Sequence, residues 1–192
     1  MHATELLEQQ LGSVNQILHE VAGNLTTEEA TARVLPRTNL IAFDLWHVAR
    51  VLDWAAQTMA RGVPEVIDEP RWQGRGQLAT HGIGVGISEE QADALARAVT
   101  PADVLEYADA THQTVLAWLR TLPDDALESQ PDVPAHLARY PVYLESAMRA
   151  EVPWMYEQPP LWRCLAPAIG HNRDHLAEID LLMRQLRARR AS

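Results

Sequence analysis

The chain has 192 residues, of which 47% are hydrophobic, and this length suffices for one well-packed domain but leaves little room for a second. We therefore expect a single domain over residues 1–192. The formal net charge is −10 and all 16 basic residues are arginines, a balance that disfavours binding to nucleic acid or to an anionic membrane.

No segment of the sequence is typical of a membrane span or a secretory leader. No run approaches the roughly 18 apolar residues that a span requires, and no basic stretch followed by an apolar core opens the chain. We therefore expect a cytoplasmic protein. Cys164 is the only cysteine, so an internal disulfide and the cysteine-rich zinc motifs are excluded. Any metal must be held mainly by His, Asp or Glu.

Helical periodicity dominates the first part of the chain. Apolar residues recur at three- and four-residue steps over residues 4–22, which predicts a first helix, and Thr26 with Glu29 has the spacing of a capping box for a short helical turn. A second long helix is predicted over 38–61. Its inward stripe contains Leu40, Phe43 or Asp44, His47, Val51, Trp54 and Thr58. His47 thus occupies a position where a core residue is expected.

The middle of the chain combines an irregular connection with two further helices. Residues 62–87 are rich in glycine, Gly76 among them, and indicate a long connection without the dinucleotide-binding fingerprint. A capping box at Ser88 opens a short helix to about residue 99, and a third long helix is predicted over 101–122. Its apolar stripe contains Leu105, Ala108, His112, Val115, Leu119 and Leu122. His112 is a reserve ligand candidate, although a lone histidine is more often an ordinary core residue.

The last part of the chain contains an excursion and a fourth long helix. Residues 123–160 hold seven of the twelve prolines together with several aromatic residues, which indicates a packed irregular segment with one short helix near 142–150. The fourth long helix is predicted over 160–189, with Pro167 and Gly170 bending or restarting it.

Two histidines in this last helix have the spacing of metal ligands. His171 and His175 are four residues apart, so in a helix they lie one turn apart on a single face. The apolar stripe that includes them contains Ala168, His171, His175, Ile179, Leu182 and Leu186, which predicts that both rings point inward. Chance gives roughly 0.3 such pairs in a chain with this histidine content, so a third ligand is needed. His47 is the candidate.

Together these elements predict an all-α helical bundle with a metal site in its interior. Three neutral imidazoles, from His47, His171 and His175, would leave one or more positions on zinc, nickel or iron open to water or substrate, as in a catalytic site. The alternative is that each histidine is a hydrogen-bonded core residue. A shared metal accounts more simply for three inward histidines on two helices, and His112 would close the site if it joined.

Two other metal schemes do not match the sequence. A zincin needs glutamate where Asn172 stands, and a di-iron bundle needs two Glu-x-x-His motifs, which are absent. Asp44 and Glu178 lie one turn from the histidines and could orient an imidazole or act as a base, although an exposed carboxylate is the commoner outcome.

Cysteine and tryptophan are weaker candidates. Cys164 lies roughly 10 Å along the helix from His171 and is best read as a packed thiol. Trp46, Trp54 and Trp162 could line a pocket, because aromatic side chains commonly do so.

The two histidine-bearing segments resemble a known family. Residues 39–53 (NLIAFDLWHVARVLD) and 169–179 (IGHNRDHLAEI) are similar to the two signature helices of the DinB-like, or YfiT-like, metal-binding superfamily. Residues 84–88 and the pair Glu106-Tyr107 are similar to the branch of that family common in high-GC bacteria. The resemblance covers most of the chain, and residues 123–160 match least.

This resemblance implies an up-down-down-up four-helix bundle, often a homodimer, with long connections after the second and third helices. It also implies that His47, His171 and His175 hold a divalent metal, zinc, nickel or iron. Some relatives look like transferases or isomerases that use mycothiol, bacillithiol or glutathione. We therefore expect a metal-dependent thiol S-transferase or hydrolase acting on a small molecule, and the alternative is a non-catalytic metal-binding stress protein.

Overall fold

Four long helices make up about half of the described residues. They are α1 (Ala3–Ala22), α3 (Ile41–Asp53, continued by a π-helix over Trp54–Arg61), α5 (Pro101–Leu119) and α8 (Leu161–Ala191). Four shorter helices connect them: α2 (Thr27–Ala30), α4 (Glu89–Ala98), α6 (Val133–Leu137) and α7 (Ser146–Glu151). Single turns of 3₁₀-helix lie at Val66–Asp68, Pro70–Trp72, Asp124–Glu128, Pro141–Leu144 and Pro153–Tyr156.

The computed structural model describes residues 3–75, 78–79 and 82–191. Within these ranges every regular element is helical, and the predicted all-α class is confirmed. Gly76, in the connection predicted over 62–87, lies outside them. None of the described helices combines the length and the apolar surface that a membrane crossing needs.

Several helix starts follow the local signals in the sequence. The predicted capping box at Thr26 is present, since its hydroxyl accepts the Glu29 N–H while the Glu29 carboxylate accepts the Thr26 N–H. Ser88 and Gln91 form the second predicted box at the start of α4. Each box satisfies amide groups that a helix terminus leaves without an intrahelical partner, which fixes where the helix begins.

Contacts along α1 give its direction relative to its two neighbours. Glu8 near the start of α1 pairs with Arg120 just after α5, and His19 near its end pairs with Asp109 in the middle of α5, so these helices are antiparallel. Arg187, near the end of α8, donates to the carbonyl of Asn24 just after α1. Helices α1 and α8 therefore run in the same direction.

Contacts along α3 complete the bundle. Arg50 donates to the Tyr107 hydroxyl and Arg61 stacks over the Trp118 ring, so α3 and α5 run in parallel. Helix α3 also packs against α8, where Asn172 donates to the Val48 carbonyl. With the antiparallel α1–α5 pair, the directions of α1, α3, α5 and α8 are up, down, down and up.

Helix α3 is buried on every side, whereas the sequence predicted a single inward stripe. All thirteen residues of Ile41–Asp53 are buried, because α2, α4, α5 and α8 all pack against this helix. The helix starts three residues later than predicted and ends, as predicted, at Gly62, whose φ of 62° lies in the left-handed region that glycine adopts without strain.

The buried faces of α5 and α8 are displaced from their predicted positions. In α5, which ends at Leu119 rather than at residue 122, Tyr107 and Thr111 are buried and His112 is only half-buried. In α8 the centre of the buried face is formed by Asn172 and Leu176. The helix is continuous through Pro167, so the predicted restart is wrong.

Candidate metal centre

Three histidines from two helices converge at one point between α3 and α8. One ring nitrogen from each of His47, His171 and His175 lies within 4.8 Å of the other two. The Nε2 atoms of His47 and His171 are 2.9 Å apart, and the three ring centroids are separated by 4.4–5.1 Å. The sequence predicted these three residues, and the fold brings together His47 and His171, which are 124 positions apart in the chain, with His175 beside them.

The sequence predicted that His171 and His175 form the centre of the buried face of α8. In the structure they flank this face instead. Asn172 and Leu176, each one residue further along, are buried at 1% and 0% exposure. His47 is buried, and the two α8 histidines are more open. The three rings therefore lie at the edge of the core, where solvent or a ligand can reach them.

A backbone carbonyl fixes the orientation of His47. Its Nδ1 lies 2.5 Å from the carbonyl oxygen of Ile83, so Nδ1 carries the proton and donates it. This tautomer leaves a lone pair on Nε2, which faces His171. Metal-binding histidines commonly donate their second ring N–H in this way, which fixes the ring and raises its basicity.

The donor set fits a divalent metal ion. In a tetrahedral site with metal–nitrogen bonds of about 2.0–2.1 Å, the nitrogens lie about 3.3 Å apart, which is close to the separation between His47 and His171. The Nδ1 atom of His175 is buried and has no hydrogen-bond partner among the residues that the structure describes. Neutral imidazoles are good ligands for first-row metals, and all three rings are kept neutral.

Burial is the main reason for this neutrality. Desolvation lowers the pKa of His47 to about 3, against the smaller raising effect of its bond to the Ile83 carbonyl. Desolvation and the neighbouring His175 lower the pKa of His171 to about 4, and burial also lowers the pKa of His175. A proton therefore competes poorly with a metal for these nitrogens near neutral pH.

The metal-free chain is expected to lose stability in mild acid. The pKa of His47 is about 3 in the folded state and about 6.5 unfolded, so below pH 6.5 the unfolded chain binds the proton more tightly. This group alone removes about 2 kcal/mol between pH 7 and pH 5. Urea unfolding of the metal-free chain at both pH values measures the loss, and His47→Gln should make it smaller; an unchanged loss would contradict the assignment.

The histidines form one end of a cavity of about 340 Å³. Helix α3 contributes Val51 and Trp54, the segment before α4 contributes Ile83 and Val85, and α8 contributes Pro167 and Ala168. The excursion between α5 and α8 contributes Met148, Glu151, Val152, Trp154 and Met155. Volumes of this order are typical of small-molecule sites. The fold thus provides room for a ligand directly beside the three imidazoles.

The two carboxylates predicted near the histidines have different surroundings. Asp44 is buried and accepts a hydrogen bond from Asn39, and burial raises its pKa to about 7. The carbonyl of Ile83, rather than Asp44, binds the His47 ring. Glu178 lies 3.8 Å from Nδ1 of His175, which is too long for a hydrogen bond but close enough for electrostatic attraction.

Of the other residues that the sequence suggested for the site, most lie away from the histidines, and one tryptophan lines the cavity. Cys164 is fully buried, and burial raises its pKa to about 12, so it is an unreactive thiol as predicted. His112 is not part of the three-histidine cluster. Of the three tryptophans proposed for a pocket, only Trp54 lines it; Trp46 donates to the Leu78 carbonyl, and Trp162 is exposed.

A buried ionic cluster beside the centre was missed by the sequence interpretation. Arg50, one turn after His47 and 2% exposed, pairs with Asp53 and Glu65 at 3.2 and 2.5 Å. Its Nε donates to the carbonyl of Gly82, the residue before the Ile83 carbonyl that binds His47. The signal available in the sequence was an Arg-x-x-Asp pair within an otherwise apolar helix.

Comparisons with known proteins give a family and a structure of similar fold. The sequence model of the DinB superfamily matches residues 10–179 of the chain. One similar solved structure is described as the crystal structure of a conserved protein from Enterococcus faecalis, with a TM-score of 0.69, 15% identity, and coverage of 96% of this chain and 97% of that one. At this identity the likeness concerns the fold. A search of curated proteins finds no match.

The family match spans both histidine-bearing helices, since it includes His47 as well as the His171 and His175 pair. It also includes the excursion between α5 and α8 that completes the cavity. The chain belongs to the DinB superfamily.

Proposed function

We propose that the protein is a metal-dependent enzyme that activates a small thiol or a water molecule for attack on a small-molecule substrate. The observation that supports this function best is the position of His47, His171 and His175 at one end of a cavity. Structural zinc sites are closed by four protein ligands, whereas catalytic sites have three and leave a position for substrate or water.

Zinc, nickel and iron are the metals that we propose for the site, because imidazole suits each of them. When bound, such an ion would act as a Lewis acid that lowers the pKa of a coordinated thiol or water. The Ile83 carbonyl holds His47 in the tautomer that such binding needs. An apolar ligand that fills the cavity would displace water from the three rings and so strengthen electrostatic interactions beside them.

Two reactions are consistent with this arrangement, and they differ in the nucleophile. In thiol transfer, the thiol loses its proton, its sulfur forms a bond to an electrophilic carbon, and the leaving group departs with the electrons of the broken bond. In hydrolysis, a water oxygen takes the place of sulfur. The family resemblance favours thiol transfer, with mycothiol or bacillithiol as the thiol class. Carboxylates near the histidines, Asp44 and Glu178, are the candidate proton acceptors.

Removal of the metal is expected to lower the melting temperature. A ligand that binds only the folded chain stabilises it by about 2.7 kcal/mol when its concentration is 100 times its dissociation constant. For a chain of this size that corresponds to roughly 5–10 °C. Differential scanning calorimetry with and without a strong chelator measures the shift, and added zinc should reverse it. If chelator and zinc leave the melting temperature unchanged, the chain holds no metal.

Cobalt substitution separates an enzyme with an open site from a protein that only stores metal. Co²⁺ bound by three imidazoles should take up a thiolate from solution and gain the absorption band of sulfur-to-metal charge transfer. We would add glutathione and then N-acetylcysteine to the cobalt-loaded chain and record the spectrum. A spectrum that neither thiol changes would favour the alternative, a non-catalytic metal-binding protein, and would leave the ligand assignment standing.

A further inference from the structure

The wall of the cavity is apolar beyond the three histidines. Among the described residues that line it, Glu151 is the only ionisable side chain apart from those rings, and none is an arginine, serine, threonine or asparagine. Met148 and Met155 are buried at 3% and 2% exposure, and Trp54 at 2%, so these side chains are held in place by packing. The wall therefore offers dispersion contacts and very few hydrogen bonds.

Such a wall discriminates strongly against charged or hydroxylated ligands. A polar group that leaves water without gaining a hydrogen bond costs roughly 2–7 kcal/mol, and an unpaired charge costs more. Glu151 adds repulsion for any anion. Away from the histidines, the described side chains that line this cavity include no cation that could pair with a carboxylate or phosphate and no hydroxyl or amide that could bond to a sugar.

The methionine and tryptophan side chains of the wall favour an apolar ligand instead. Methionine sulfur is polarizable and makes favourable contacts with aromatic rings, and its flexible chain adapts to ligands of varied shape. Trp54, from the helix that continues α3, and Trp154, from the excursion between α5 and α8, add aromatic surface to the lining of the cavity. The Arg163 guanidinium, 5.0 Å from the centre of the Trp154 ring, is already engaged in a cation–π contact.

We propose that the cavity binds an uncharged apolar organic substrate, aromatic or branched aliphatic, with its reactive group directed at the three histidines. This inference rests on the proposed metal-dependent function and defines the substrate class for it. If a thiol co-substrate carries charged or hydroxylated groups, only its sulfur enters the cavity, and its polar body stays at the mouth.

Hydroxamates test this proposal, because they bind divalent metals through one end and carry a variable tail. The dissociation constants of acetohydroxamate, naphthohydroxamate and carboxynaphthohydroxamate would be measured by calorimetry on the zinc-loaded full chain. A two-ring tail that buries about 100 Å² of apolar surface should bind about 10- to 100-fold more tightly than the methyl tail. The carboxylate should cancel most of that gain.

Two variants test whether the tighter binding of the naphthyl tail depends on the cavity wall. Val152→Asp places a carboxylate in the wall and should reduce the advantage of the naphthyl tail at least about tenfold, while acetohydroxamate binds as before. Ile17→Asp is the matched control, since Ile17 is also partly buried but lies on α1 outside the cavity. It should leave the ratio of the two affinities unchanged.

Failure of this inference differs from failure of the function on which it rests. If all three hydroxamates bind equally, or if the carboxylated tail binds best, the site is open but the substrate class is wrong. If the chain retains no zinc, or if it retains zinc but binds no hydroxamate, the metal-dependent function is wrong and the substrate class is lost with it.

Discussion

Replacing His171 with alanine is expected to weaken the binding of a divalent ion by more than about 100-fold. Changes to groups that only orient a metal ligand already cost 10- to 100-fold, and His171 is itself one of the three proposed ligands. Its Nε2 lies 2.9 Å from Nε2 of His47, so both nitrogens face the same point between α3 and α8. The two remaining imidazoles would hold the ion by two bonds only.

The measurement is elemental analysis of the purified chain after dialysis, followed by calorimetric titration with zinc. The parent chain should retain close to one ion, and the variant almost none. His112→Ala is the matched control, because His112 is also a half-buried helical histidine but lies outside the cluster. Full retention of zinc by His171→Ala, or equal loss in both variants, would contradict the assignment of the three histidines.

The sequence was sufficient to select the three histidines that the fold brings together, because helical spacing is a local property. His171 and His175 differ by four positions, and any helix through them places their rings on one side. His47 could be added because it interrupts an apolar stripe of its own helix. Periodicity does not show which helices pack together, so it could not predict that His47 lies close to His171 and His175. The family resemblance supplied that prediction.

Periodicity was less reliable about which face of each helix is buried. In α8 the predicted stripe passed through His171 and His175, whereas Asn172 occupies the centre of the buried face. Asn172 is polar, so a hydrophobic pattern assigns it to solvent, but its side-chain N–H donates to the Val48 carbonyl inside the core. Hydrogen bonds to a neighbouring helix are not visible in the sequence of one helix.

The cavity wall could not be predicted in the same way. The wall includes four residues from a segment with many prolines and short helical turns, namely Met148, Glu151, Trp154 and Met155. These turns are too short for a pattern of apolar residues to repeat along the sequence. The sequence indicated a packed excursion and one short helix, and α7 lies close to that position. Where the segment packs is determined by long-range contacts, and it is this placement that gives the cavity its apolar character.

The ionic cluster around Arg50 connects fold stability to the metal centre. Asp53 and Glu65 both pair with Arg50. Two tyrosine hydroxyls complete the cluster, since Arg50 donates to Tyr107 and Tyr143, and these in turn donate to Asp53 and Glu65 at 2.5 and 2.8 Å. The side chains of this cluster are buried, so each charged group depends on the other members of the cluster for its counter-charge and hydrogen bonds.

Replacing Arg50 with methionine is therefore expected to destabilise the chain by about 3–5 kcal/mol. The methionine fills much of the volume, but it leaves Asp53 and Glu65 buried without a cation. The Gly82 carbonyl also loses its donor, which should loosen the adjoining Ile83 carbonyl and weaken metal binding about tenfold or more. Urea unfolding of the metal-free chain gives the first quantity, and zinc titration of the folded variant gives the second.

The pH dependence of this loss distinguishes a buried charge from a packing defect. Burial raises the pKa of Asp53 and Arg50 lowers it, so the variant should raise it further. Because the folded variant then binds the proton more tightly than the unfolded chain, its deficit relative to the parent should shrink as pH falls from 7 to 5. Arg184→Met is the control: Arg184 pairs with Asp180 at the surface, and its loss should cost less than about 1 kcal/mol at either pH. A deficit of the same size for Arg50→Met at both pH values would mean that shape, rather than charge, holds this part of the core together.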